Sequence, residues 1–294
     1  MAFDHLKPRP PMHFPAAAAY AESVLARSRE AAARADVRFT PDVPYGPHEA
    51  QRVDVYAPAI GGLPPLPVLV FVHGGAWSGG YKEWMGFMAP AVLATPAVFV
   101  SVEYRLAPEH AYPAAVQDVA AAVKWAMTDI AAFGGDSRQL FLGGHSAGGH
   151  LAALVAVDPS WLNDAGVDTG AVKGVLAISG VYDLCYEDRS LRNDTSIAIR
   201  RGFLRDDADA PAASPINHVS PRAPAFYVAA GEHEVGSIAE DARRLAEALR
   251  RLGVPAALDI FEAHDHFDAN SRCVDDGHPW ISRARPFLLT GSPD

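Results

Sequence analysis

Cysteine is nearly absent from the chain: Cys185 and Cys273 are the only two in 294 residues. That excludes a disulfide-stapled scaffold and suits a reducing compartment, with both side chains as ordinary thiols. Positive charge is also short. The balance is −10 at neutral pH, so the chain lacks the basic footprint that nucleic acid or an anionic lipid surface requires. A cationic substrate is mildly favoured by this long-range field, which salt screens. No stretch approaches the roughly 18 apolar residues of a membrane span. Lys7 and Arg9 are followed by prolines, not by an apolar run, and Ala16–Ala19 is soon interrupted by Glu22, Arg27 and Arg29. No secretory signal is read, and the expected setting is cytoplasmic. Repeats are absent too, and no pattern sets an oligomeric state.

What is present is a large apolar fraction, 49% of residues, enough for the core of one large α/β domain or two small ones. Residues 1–14 form a proline-rich arm. Pro15 opens a helix predicted to run to about Ala35, placed to cover part of a site mouth. Residues 1–44 are therefore read as an N-terminal arm and helix, and 45–294 as the main domain. From Arg52 onward short apolar runs alternate with helical patterns. Strands are predicted at Arg52–Ala57, Val68–His73, Val98–Tyr104, Leu140–Gly144, Val172–Ser179, Phe226–Ala230 and Ala257–Phe261. Helices are predicted at Ala114–Ala132, Ala147–Val157 and Ile238–Leu252, the last closed by Gly253 and Pro255. This alternation defines the α/β class: a mostly parallel, doubly wound sheet with helices on both faces and ligands at the carboxyl ends of its strands. Residues 183–221 break the rhythm with charges and prolines, and are expected to form an insertion or lid beside the site.

The strongest chemical signal is Gly144-His145-Ser146-Ala147-Gly148, directly after an apolar strand and before a small-residue helix. In that context G-x-S-x-G is a nucleophile elbow, where flanking glycines make room for a strained turn that lifts a serine hydroxyl above the sheet. A second signal, His73-Gly74-Gly75-Ala76-Trp77, ends another strand. Acyl transfer makes an oxyanion that needs preorganised N–H donors; Gly74, Gly75 and Ala147 are the candidates. His73 is expected to orient the loop, and Trp77 either walls the substrate pocket or packs behind it. A serine needs a base and the base an orienting acid, in the chain order Ser, acid, His. His266, just past the last strand, is the candidate base. His264 is read as lying outside the reaction, and a metal pair with His266 lacks a third ligand. Glu234 is the preferred acid, Asp183 the runner-up and Glu232 the third choice. His145 and His150 are read as packing residues.

HGGAW, GGHSAGGHLAAL, SGVYDL, GEHE and the DHF around His266 resemble the kynurenine formamidase (arylformamidase) branch of the α/β-hydrolases, as does Tyr45-Gly46 leading into Val53–Pro58. The stretch Tyr104–His110, YRLAPEH, is similar to the hormone-sensitive-lipase-like carboxylesterases. These resemblances run from Tyr45 to about Phe267. They imply the α/β-hydrolase fold, with Ser146 as nucleophile, His266 as base and Glu234 where the family usually has aspartate. The implied activity is cleavage of small carboxylic esters or aryl formamides through an acyl-enzyme. No cofactor or metal is implied. Within that activity, a dedicated arylformamidase is the alternative, followed by a non-catalytic binding protein on the same fold. A short acyl chain is expected, because neither Trp77 nor the polar insertion suggests a long apolar groove.

Overall fold

The structure is a computed structural model that describes residues 3–4, 6, 14–185 and 194–293. Much of the N-terminal arm and residues 186–193 of the expected insertion lie outside the described residues. The strands are β1 (Val37–Pro44), β2 (Arg52–Pro58), β3 (Leu66–Val72), β4 (Val98–Val102), β5 (Gly135–His145), β6 (Val172–Ile178), β7 (Ala225–His233) and β8 (Ala256–Asp265). They form an eight-stranded sheet in the order β1-β2-β4-β3-β5-β6-β7-β8. The first two strands join antiparallel and β2 pairs antiparallel with β4; all remaining pairs are parallel. The helices are α1 (Ala16–Ala32), α2 (Ala89–Leu93), α3 (Ala114–Asp129), α4 (Ala147–Val157), α5 (Pro159–Asp164), α6 (Asp194–Leu204), α7 (Ile238–Arg251), α8 (Asp268–Ser271) and α9 (Pro279–Thr290). None among the described residues is long and apolar enough to cross a membrane.

Both faces of the sheet are covered, which is why its central strands read as unbroken apolar runs. On β3, Val68, Val70 and Val72 enter one core with Val119 and Val123 of α3 and Leu151 and Leu154 of α4. Leu69 and Phe71 enter the other, with Val24 of α1 and Trp280 and Phe287 of α9.

β1 is not anticipated by the sequence pattern. It is an edge strand with little buried surface, and Pro41, Asp42 and Pro44 disrupt its alternation. Its register shifts between Thr40 and Val43. Asp42 sits in this bulge, where a buried cation pins it. Lys82, whose side chain is 3% exposed, meets Asp42 at 2.9 Å and Asp54 at 3.0 Å, and Glu83 as well. The Lys82 N–H also donates to Glu103 at 3.2 Å. The cluster ties the sheet edge to the turn that follows the His73 loop. Burial pushes the Asp54 carboxyl up to about 7 against the attraction of Lys82.

Removing a buried charge from such a cluster costs more than the cluster contributes. Lys82→Met is expected to destabilise the fold by about 3–5 kcal/mol in urea denaturation. A loss below about 1 kcal/mol would show that the acids do not need their cation.

Candidate active site

β5 ends at His145 and α4 begins at Ala147. Between them Ser146 takes φ 54° and ψ −121°, a sparsely populated conformation costing on the order of 1–3 kcal/mol. The Ser146 N–H is held by the Ile178 carbonyl at 2.9 Å. The flanking glycines are needed because backbone lies where side chains would be. A Cβ on Gly144 would sit 2.3 Å from the Gly148 carbonyl, and one on Gly148 would sit 2.0 Å from the Val72 oxygen. Ala147 opens the helix, so its N–H has no partner within it, and the helix terminus favours negative charge there.

The chain after β8 delivers His266, and the end of β7 delivers Glu234. His266 Nδ1–H donates to Glu234 Oε2 at 2.6 Å. That leaves its Nε2 lone pair facing the Ser146 hydroxyl at 2.9 Å. The His266 and Glu234 side chains are only 5% and 1% exposed. Burial alone would raise the glutamate, but the His266 charge, its hydrogen bond and two further donors hold the carboxyl below its ordinary range. Those donors are the Ser179 hydroxyl and the Gly231 N–H, at 3.0 Å to Oε1. The carboxylate thus folds back over its own strand end, which takes up the methylene that distinguishes it from aspartate.

The other acids and histidines lie elsewhere. Asp183 pairs with Arg244 at 2.9 Å and accepts from the Cys185 N–H. Glu232 accepts from the Ala263 N–H. His264 donates from Nδ1 to the Glu262 carbonyl and meets His278 at 3.4 Å. Ser179 is the residue that sequence reasoning passed over. It lies in SGVYDL, but its contact with Glu234 depends on how β6 and β7 align.

The His73 loop presses on the elbow: a Cβ on Gly74 would lie 3.1 Å from the Ser146 Cβ. Gly75, Ala76 and Trp77 all have positive φ, so the loop turns tightly. His73 stacks on Tyr104 at 4.4 Å, and its ring nitrogens face the Gly74 carbonyl at 2.6 Å and Glu103 at 3.2 Å. Trp77 both lines a cavity and packs against its neighbours. It lines the cavity above Ser146, stacks on Phe203 of α6 at 4.4 Å, and donates from its indole to His150 Nδ1 at 3.0 Å. His150 Nε2–H donates in turn to the Ala213 carbonyl at 2.7 Å. His145 Nε2–H holds the His266 carbonyl at 3.0 Å. The cavity is largely apolar, with Phe14, Leu184, Ile199 and Val235 in its walls. The expected polar insertion therefore turns an apolar side inward.

A mostly parallel sheet, a strand–turn–helix serine after β5, and an acid and a histidine from the ends of β7 and β8 define the α/β-hydrolase class. Residues 69–268 match the family model described as alpha/beta hydrolase fold, and the chain belongs to that family. Esterase LipC of Mycobacterium tuberculosis is 36% identical over 219 residues, 70% of this chain and 54% of LipC. Kynurenine formamidase of Danio rerio is 28% identical over 252 residues, 84% of this chain and 80% of that protein. The chain thus spans about half the length of LipC and most of the formamidase. A Pyrobaculum calidifontis esterase structure superposes with a TM-score of 0.76 at 27% identity, covering 92% of this chain and 91% of that one.

Burial drives His145 down to about 3, helped by the His266 charge, and His150 down to about 4. Both stay neutral in the folded protein but take a proton when unfolded below about pH 6.5. Their contribution to stability is therefore full above pH 6.5 and lost as pH falls toward the folded values. Urea denaturation should show a loss of about 2 kcal/mol per histidine between pH 6.5 and 5. A flat profile would mean that the folded protein accepts those protons.

Proposed function

We propose that the chain is a serine hydrolase of small carboxylic esters or aryl formamides, working through an acyl-enzyme. The observation that carries this is the continuous hydrogen-bonded line from Glu234 through His266 to the Ser146 hydroxyl, opening into an apolar cavity. Ser146 Oγ attacks the substrate carbonyl while His266 Nε2 takes its proton. Glu234 holds the imidazole tautomer and stabilises the imidazolium. The N–H groups of Gly74, Gly75 and Ala147 receive the oxyanion. Collapse expels the alcohol or arylamine, which takes the proton from His266. Water then adds to the acyl-enzyme with His266 again as base, and the acid, formic acid in the formamide case, is released with Ser146 restored.

Trp77 bounds the substrate. The described residues of the 183–221 insertion act as a lid, and Phe14, just before α1, narrows the mouth. Two free cysteines suit a cytoplasmic setting, and the reading uses no cofactor. The names of the relatives support both bond types, LipC as an esterase and the Danio rerio protein as a kynurenine formamidase. A dedicated arylformamidase is the second reading, favoured by the match over most of the latter. Side-by-side kcat/KM for N-formylkynurenine and p-nitrophenyl acetate decides between them, and turnover of neither would end the hydrolase reading.

Ser146→Ala should lower kcat on the order of 10⁶-fold while leaving the fold intact; near-wild-type turnover would remove the mechanism. Glu234→Gln should cost roughly 10⁴ in kcat, and Asp183→Asn far less. The opposite ranking in folded variants would move the acid to Asp183.

A further inference from the structure

The cavity above Ser146 holds one charged side chain that the reaction does not use. Arg200, on α6, lines it beside Leu184 and Ile199, and no carboxylate lines it among the described residues. The Arg200 side chain is 12% exposed. Its Nε donates to the Leu184 carbonyl at 2.6 Å and its Nη1 to Asp207, so the guanidinium plane is held in place. Asp207 itself is 67% exposed, and solvent screens that pair. Nη2 has no partner among the described residues. A preorganised guanidinium with a nitrogen to spare is suited to a carboxylate.

A second feature favours an anion in the same cavity. Ser237 lines it just before α7, and its hydroxyl caps no N–H of that helix. Ser237 and Ile238 at the start of this 14-residue helix line the cavity, so the positive end of the helix dipole lies at its wall. Of the acids in that turn, Glu240 is exposed, and Asp241 is buried and accepts from the Tyr182 N–H at 3.3 Å.

We propose that Arg200 receives a carboxylate carried by the substrate, so that the enzyme acts on esters or formamides with an apolar body and one anionic group. This rests on the hydrolase reading above. The overall charge of −10 repels anions at long range, so a preference for them would have to arise locally.

The test compares kcat/KM within two pairs: phenyl acetate with 4-acetoxybenzoate, and phenyl butyrate with phenyl hydrogen succinate. The first pair places the carboxylate on the leaving group and the second on the acyl group. In at least one pair the anionic member should be favoured on the order of tenfold or more, mainly through KM. Arg200→Gln should bring that ratio to about one, and Arg200→Lys to between the two, as the point charge replaces the fork. A purely structural arginine would move both members of a pair together, and an unchanged ratio in Arg200→Gln overturns the proposal. So does a wild type that prefers the neutral member of both pairs. Calorimetric binding of 3-phenylpropionate and its amide to the wild type needs neither turnover nor a folded variant. The carboxylate should bind on the order of tenfold tighter; equal affinities overturn the subsite. Failure to cleave phenyl acetate or phenyl butyrate, with that binding preference intact, would count against the hydrolase reading alone.

Discussion

The rest of the carboxyl edge depends on one steric constraint, the close crossing of β5 and α4 against the end of β3. Gly144 meets the Gly148 carbonyl, and Gly148 meets the Val72 carbonyl, at distances that admit no side chain. With backbone on both sides, Ser146 adopts a positive φ, and its hydroxyl meets His266. The same turn carries His145, whose ring holds the backbone of His266, and its Cβ side meets Gly74. One turn thus sets the serine, the chain bearing the histidine, and the seam with the His73 loop. Glu234 has only to reach a point already determined.

Polar groups around this floor are buried in two distinct ways. His145 and His150 act as neutral connectors, each donating to a main-chain carbonyl. Burial keeps them uncharged, so they link segments without placing charge beside the Ser146 hydroxyl. On the β1 side of the sheet the chain does the reverse. Lys82 gathers Asp42, Asp54 and Glu83, a charged clasp that holds a weak edge strand in place. The network from Lys82 reaches the His73 loop through Glu103, so the edge and the loop share a support.

How far the sequence discloses this follows from how local each cause is. The elbow and the His73 loop are legible because their glycine requirement is written into a few adjacent residues. The parallel strands are legible because burial on two faces demands runs such as Leu69-Val70-Phe71-Val72. β1 is illegible, since an edge strand needs no such run and Pro41 and Asp42 break its pattern. Ser179 is equally hidden: its tie to Glu234 arises from the alignment of two strands distant in sequence. Placement after the strand just before the one that leads to His266 favours Glu234 over Asp183, but the fold of its carboxylate onto the Gly231 amide belongs to the turn. The insertion reads as polar because composition averages over a helix whose Ile199, Phe203 and Leu204 are packed inward.

The glycine crossing also divides the protein by how freely it can change over generations. At Gly144 and Gly148 the smallest gain of a side chain collides with main chain, and no neighbouring rotamer can yield, so these positions offer no graded intermediates. The cavity walls at Val181, Leu184, Ile199, Arg200, Val235, Ser237 and Ile238 are lined by side chains and are open to stepwise exchange. A lineage of such chains would keep its floor and alter its walls, with change concentrated around Leu184, Arg200 and Ser237.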